Sequence, residues 1–108
     1  MEAAREGRLK KMMCKVLTNE SQDRFLKVNR SIRIAGHSTS VRLESAFWDV
    51  LEDIASREGL STPKLISVLY HEALEKHGDL ANLASLLRTV CVIYQEQRNR
   101  RNAQAVLS

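Results

Sequence analysis

The sequence is poor in the residues and runs that fix a fold covalently or mark a reaction. Its two cysteines, Cys14 and Cys91, form no C-x-x-C and no disulfide framework. That suits a reducing compartment and sets aside the small disulfide-stapled class. No apolar run is long enough to span a bilayer, and the N-terminus lacks the apolar segment of a secretory signal. The expected address is therefore the cytoplasm, with no membrane partner. His71 and His77 are six positions apart, so they fall on different faces of a helix and make no metal pair. No Ser/His/Asp set, catalytic carboxylate pair or phosphate-cradling glycine loop is evident. No catalytic residue, metal or cofactor is expected.

One further absence is local. Between Asp23 and Glu44 there is no acidic residue, while Arg24, Lys27, Arg30, Arg33 and Arg42 all lie there. The formal net charge of +4 is unevenly spread. Residues 1–30 hold eight Lys/Arg against four Asp/Glu, residues 31–78 five against seven, and residues 79–108 four against two. A basic field centred on one segment suits a polyanion such as nucleic acid, and equally a solvated surface on a basic protein.

At 108 residues the chain holds one small domain with tails. Three parts are expected: a basic N-terminal extension over 1–30, a folded domain over 31–94, and a polar basic tail over 95–108. In the first part, Leu9, Met12, Met13, Val16 and Leu17 fall at helical spacing opposite Lys10, Lys11 and Lys15. That short stretch is expected to pack or stay disordered rather than bind a membrane. Met12 and Met13 also offer alternative starts.

Residues 37–44, "HSTSVRLE", alternate as a strand does. Thr39, Val41 and Leu43 point one way, and Ser38, Ser40 and Arg42 the other. Just before them, Ile32 and Ile34 are apolar at even positions, whereas Val41 and Leu43 are apolar at odd ones. Gly36, between the two, is the expected turn or bulge. From Ser45 the period becomes helical: Phe47, Val50, Leu51, Ile54 and Ala55 form one stripe. Gly59 is expected to cap that helix. Ser61 or Thr62 should begin the next, with Pro63 in its first turn. Leu65, Ile66, Leu69 and Ala73 form its buried face, and Gly78 closes it. Asp79 is placed to cap a third helix carrying Leu83, Leu86, Leu87, Val90 and Ile93 inward. Cys91 on this stripe is expected in the core. Trp48, beside Phe47 at a helix start, is expected there too rather than as a stacking platform for bases.

A strand and two helices, about forty residues, cannot bury enough apolar surface alone. A second copy is the economical solution, its strand pairing antiparallel with the first across a two-fold axis. The expected fold is mainly α with one short strand per chain: an intertwined homodimer around an intermolecular two-stranded antiparallel ribbon, plus an extra C-terminal helix. Its dimer core would hold Val41, Leu43, Phe47, Leu51, Ile54, Leu65, Ile66 and Leu69. A competing arrangement folds residues 32–34 back on 39–41 as a hairpin around Gly36, giving a monomeric α+β domain. The changed apolar phase counts against it.

The run "TSVRLESAFWDVLEDIASREGLSTPKLISVLYHEA", residues 39–73, resembles the ribbon-helix-helix domain of the MetJ/Arc class of bacterial DNA-binding proteins. The alternating strand, the "FW" opening the first helix and the "EGLS" turn carry the resemblance, which extends over residues 31–94. It implies a strand ribbon in the major groove of double-stranded DNA. Ser38, Ser40 and Arg42 would face the bases, Arg42 donating two hydrogen bonds to a guanine. It also implies a phosphate contact at residues 59–62, made by the helix N-terminus with Ser61 or Thr62 and assisted by Lys64; Arg33 is added as a backbone contact. The function so implied is a homodimeric repressor of transcription; the third helix and basic tail, extra to the minimal domain, are expected either to enlarge the dimer core or to join dimers on adjacent sites. The alternatives are an antitoxin-like protein-interaction module that grips a partner through terminal segments, or a plasmid transfer or partition protein that marks a DNA site.

Overall fold

The computed structural model describes residues 22–78 and 82–107. A short 3₁₀ turn, Gln22–Phe25, leads into two strands, β1 (Lys27–Ile34) and β2 (His37–Glu44). Three helices follow: α1 (Ser45–Glu58), α2 (Thr62–His77) and α3 (Leu83–Leu107). The expected amphipathic stretch around Leu9–Leu17, Cys14 and the expected cap Asp79 lie outside the described residues.

The two strands pair antiparallel with each other, in a register that sets Ile34 opposite His37 and Lys27 opposite Glu44. This corrects the expectation of one strand per chain: the ribbon is closed within the chain. It also corrects the argument from phase. Cross-strand partners share a face, and a two-residue turn pairs every even position of β1 with an odd position of β2. The switch from Ile32 and Ile34 to Val41 and Leu43 is therefore what such a hairpin requires. All four are buried, at 4% exposure or less. The turn residues Ala35 and Gly36 both have positive φ, 53° and 81°, the φ pattern of a type I′ turn whose twist matches that of the strands.

The helices form for local reasons. Gly59 sits in the left-handed region at φ 70° and ends α1, while the Leu60 N–H returns to the Ala55 carbonyl at 2.8 Å. Ser61 is the cap of α2, its hydroxyl accepting from the Lys64 N–H at 3.3 Å. For α3 the capping side chain is Asn82, which accepts from the Ser85 N–H at 3.2 Å. That helix runs on to Leu107, so residues 95–107, expected as a tail, continue it. At the other boundary β1 begins at Lys27, inside the expected extension.

The core lies between the inner face of the hairpin and the helices. Trp48, Leu51, Ile54 and Ala55 come from α1, Leu65 and Ile66 from α2, and Leu87 and Cys91 from α3. Ile32 and Ile34 of β1 and Leu87 and Cys91 of α3 come from outside the strand-helix-helix segment. They supply, within one chain, burial that the shorter segment was expected to obtain from a second copy. Six of the expected dimer-core residues, Val41, Leu43, Leu51, Ile54, Leu65 and Ile66, are buried in the single chain. Phe47 and Leu69 are only partly buried.

Trp48 is 1% exposed and its indole N–H donates to the Val28 carbonyl at 3.0 Å. On α3 the inward stripe is displaced from expectation. Cys91 is buried as expected, but Tyr94 packs inward in the place expected of Ile93, which is 46% exposed. Two polar ties fix that rotation. Arg88 makes a two-point pair with Glu44, at 3.2 and 2.7 Å, and the Tyr94 hydroxyl donates to Asp53 at 3.0 Å. Burial pushes the Cys91 thiol up to about 11, so it behaves as an apolar filler.

Candidate nucleic-acid interface

Alternation gives the hairpin two unlike surfaces. The inner face is core. On the outer face stand Lys27, Asn29, Ser31 and Arg33 of β1 beside Ser38, Ser40 and Arg42 of β2, all exposed. The register sets Asn29 opposite Arg42, Ser31 opposite Ser40 and Arg33 opposite Ser38. The Ser31 and Ser38 hydroxyls are 2.6 Å apart, a diagonal bond across the strands. No large apolar side chain interrupts this surface.

Its charge is of one sign. Glu44 is the sole acid in the sequence of the hairpin, at the far end of β2, and Arg88 of α3 already holds it. The Arg88 hydrogen bonds keep the Glu44 carboxyl below its ordinary value, against the opposing effect of desolvation. Lys27, Arg33 and Arg42 are left as a positive field over a polar ribbon. The two-point geometry of the Arg42 guanidinium, joined to hydroxyl and amide groups, has the donor and acceptor types that read base edges.

Arg33, expected as a backbone contact, stands on this same face opposite Ser38. Ser38, Ser40 and Arg42 are thus brought together with Arg33. Ser61, Thr62 and Lys64 form a separate group at the start of α2, where Ser61 and Lys64 are exposed and Thr62 is partly so. Their donor supply is smaller than a generic helix start offers. Pro63 has no N–H, and the Lys64 N–H is bonded to Ser61, leaving chiefly the Thr62 amide and hydroxyl for an anion. Arg30 belongs to neither group. It turns inward, 2.8 Å from Glu52 and 4.6 Å from the centroid of the Trp48 ring.

Sequence reasoning missed Lys27, Asn29 and Ser31. The signal was present: polar residues at 27, 29, 31 and 33 alternate with Val28, Ile32 and Ile34, and a two-residue break precedes the next strand. Arg30, polar at an inward position, interrupts the alternation, and its stacking on Trp48 cannot be read from sequence.

A second surface is apolar. Phe25, Ala46, Phe47, Val50 and Val92 line an open groove between the 3₁₀ turn, α1 and α3; Phe25 is 56% and Val92 50% exposed. Among the described residues, no group of three His, Cys, Asp or Glu side chains is placed to hold a metal, and no helix is long and apolar enough to cross a membrane.

Comparison with known proteins gives two findings. A family model described as a ribbon-helix-helix domain matches residues 27–95, which takes in both strands, α1, α2 and the first half of α3. The solved structure of an uncharacterized protein from Bordetella pertussis Tohama I is similar, with a TM-score of 0.77 and 42% sequence identity. The match covers 82% of this chain and 70% of that one. No curated protein matches the chain.

Proposed function

Because the chain belongs to the ribbon-helix-helix domain family, we propose that it binds double-stranded DNA with sequence preference, through the outer face of its hairpin, and represses transcription by occluding the bound site. The observation that supports this most is the outer face itself: three exposed cations, an asparagine and three serines on a regular ribbon, with the one nearby acid taken by Arg88. A two-stranded ribbon fits the major groove. Ser38, Ser40 and Arg42 are the base contacts of this reading. Thr62, with Ser61 and Lys64, is the phosphate contact beside the ribbon.

Ribbon-helix-helix domains typically bind DNA as dimers. Among the described residues, the apolar groove around Phe25, Phe47 and Val92 is a surface suited to a second copy: it holds Phe47 of the expected dimer core beside the exposed side chains of Phe25 and Val92. Selection of bound duplexes from a random DNA pool, at roughly physiological ionic strength, tests the reading. Enrichment of a short motif supports it. A folded protein that enriches nothing overturns it and favours a protein partner instead.

A further inference from the structure

We propose that the base-reading ribbon is the hairpin of a single chain, so that β1 supplies half of the readout, with Asn29 and Ser31 as specificity-determining residues beside Arg42 and Ser40. The inference rests on the DNA-binding reading above and says which residues carry its specificity.

A two-residue turn makes Ile34 and His37 a hydrogen-bonded pair, and at the other end the Ser45 N–H donates to the Leu26 carbonyl at 2.8 Å. Between these points bonded and non-bonded pairs alternate, so Asn29 with Arg42 and Ser31 with Ser40 are non-hydrogen-bonded pairs. Side chains are closest at such pairs, with Cβ atoms about 5 Å apart. The Asn29 amide and the Arg42 guanidinium therefore stand side by side on the exposed face. An amide reads adenine through N6 and N7, and a guanidinium reads guanine through O6 and N7. Together they suit adjacent bases.

Groove width decides between one chain and two as the source of the ribbon. The backbone groups of Ser38, Ser40 and Arg42 that point away from β1 form an edge with no third strand among the described residues. Pairing this edge with β2 of a second copy would make a four-stranded sheet. With strands about 4.8 Å apart, its outer backbones would lie about 14 Å apart before side chains are added. The major groove is about 12 Å wide and admits two strands. A hairpin already closed within the chain is the unit that fits.

The test compares the base preferences of wild type, Asn29→Ala, Ser31→Ala and Arg42→Ala on selected duplexes, with affinity for an unrelated duplex as the control. All three positions are exposed, so circular dichroism should show an unchanged fold. The expected result for Asn29→Ala is about a tenfold or greater loss of preference at a position next to the one lost in Arg42→Ala, with binding to the unrelated duplex unchanged. If Arg42→Ala alters the preference and neither β1 variant does, β1 is not a reader; the proposal falls while DNA binding stands. If wild type itself shows no preference, both fall.

A second measurement bears on the single-chain ribbon. Ser31→Cys with Ser40→Cys, in a Cys14→Ser background, places two thiols at a non-hydrogen-bonded pair whose spacing suits a disulfide. Oxidation should yield a species running as one chain on a denaturing gel. A disulfide joining two chains overturns the proposal.

Discussion

The two faces of the hairpin come from the same sixteen strand residues and share one backbone, yet they answer to different constraints. The inner face carries Ile32, Ile34, Val41 and Leu43, buried against three helices. The outer face carries polar and charged groups, cationic but for Glu44 at its end, and that acid is drawn off by Arg88 of α3. Alternation lets one short ribbon hold the fold with every second residue and meet a partner with the others. Substitutions should therefore separate stability from binding by parity alone, and Arg30 is the informative exception. It has inward parity, but it spends its charge on Glu52 and the Trp48 face rather than on a partner.

The largest expected effect lies on the inner face. Leu43 is fully buried, and Leu43→Ala should cost about 2–5 kcal/mol through lost burial and the cavity left behind. A urea titration followed by circular dichroism measures it; a loss below about 1 kcal/mol would mean that the core does not depend on the hairpin. Arg42→Ala, one position away, should do the reverse. Stability should stay within about 0.5 kcal/mol, while discrimination at particular base pairs falls by about 1–3 kcal/mol. An Arg42→Ala protein that unfolds readily would break the two-face description.

Acid should act next. Arg88 holds the Glu44 carboxyl below its ordinary 4.5, and the Tyr94 hydroxyl with Arg57 and Arg98 holds Asp53 below its ordinary 3.8. A carboxyl depressed by folding contributes stability that is fully present above its unfolded value and is lost as pH falls through its folded value. Stability should therefore decline below about pH 4.5, and Glu44→Gln, which removes a partly exposed pair worth about 1 kcal/mol or less, should make that decline shallower. Thermal melts of both proteins from pH 3 to 7 would show whether the two slopes differ. The smallest effect is a gain. Ala35 occupies a left-handed conformation at φ 53°, where asparagine is better tolerated, so Ala35→Asn should raise stability by about 0.5–1 kcal/mol. An unchanged midpoint would mean that the turn is not under strain.

Local chemistry made much of this legible in the sequence. The caps at Gly59, Ser61 and Gly78 were readable because a cap depends on the residue and its near neighbours. So were the α1 stripe and the outward positions of Ser38, Ser40 and Arg42, because a period of 3.6 or 2 is a property of the chain itself. The stripe of α3 was harder. On a helix, Ile93 and Tyr94 lie on neighbouring sides, and apolar character alone favoured Ile93. Asp53 and Glu44, 41 and 44 residues away in sequence, turned the helix toward Tyr94 and Arg88.

By itself, then, the sequence determined the kinds of element, the faces of the strands and the concentration of positive charge along residues 24–42. Only the tertiary structure decided what β2 pairs with. Alternation states which side of a strand is buried, but a strand's edge bonds are satisfied by any antiparallel neighbour, in the same chain or another. The outcome depended on β1 lying two residues away with its apolar phase reversed, and on α3 being present to complete the core. Both are relations between segments, and neither is a property of the strand.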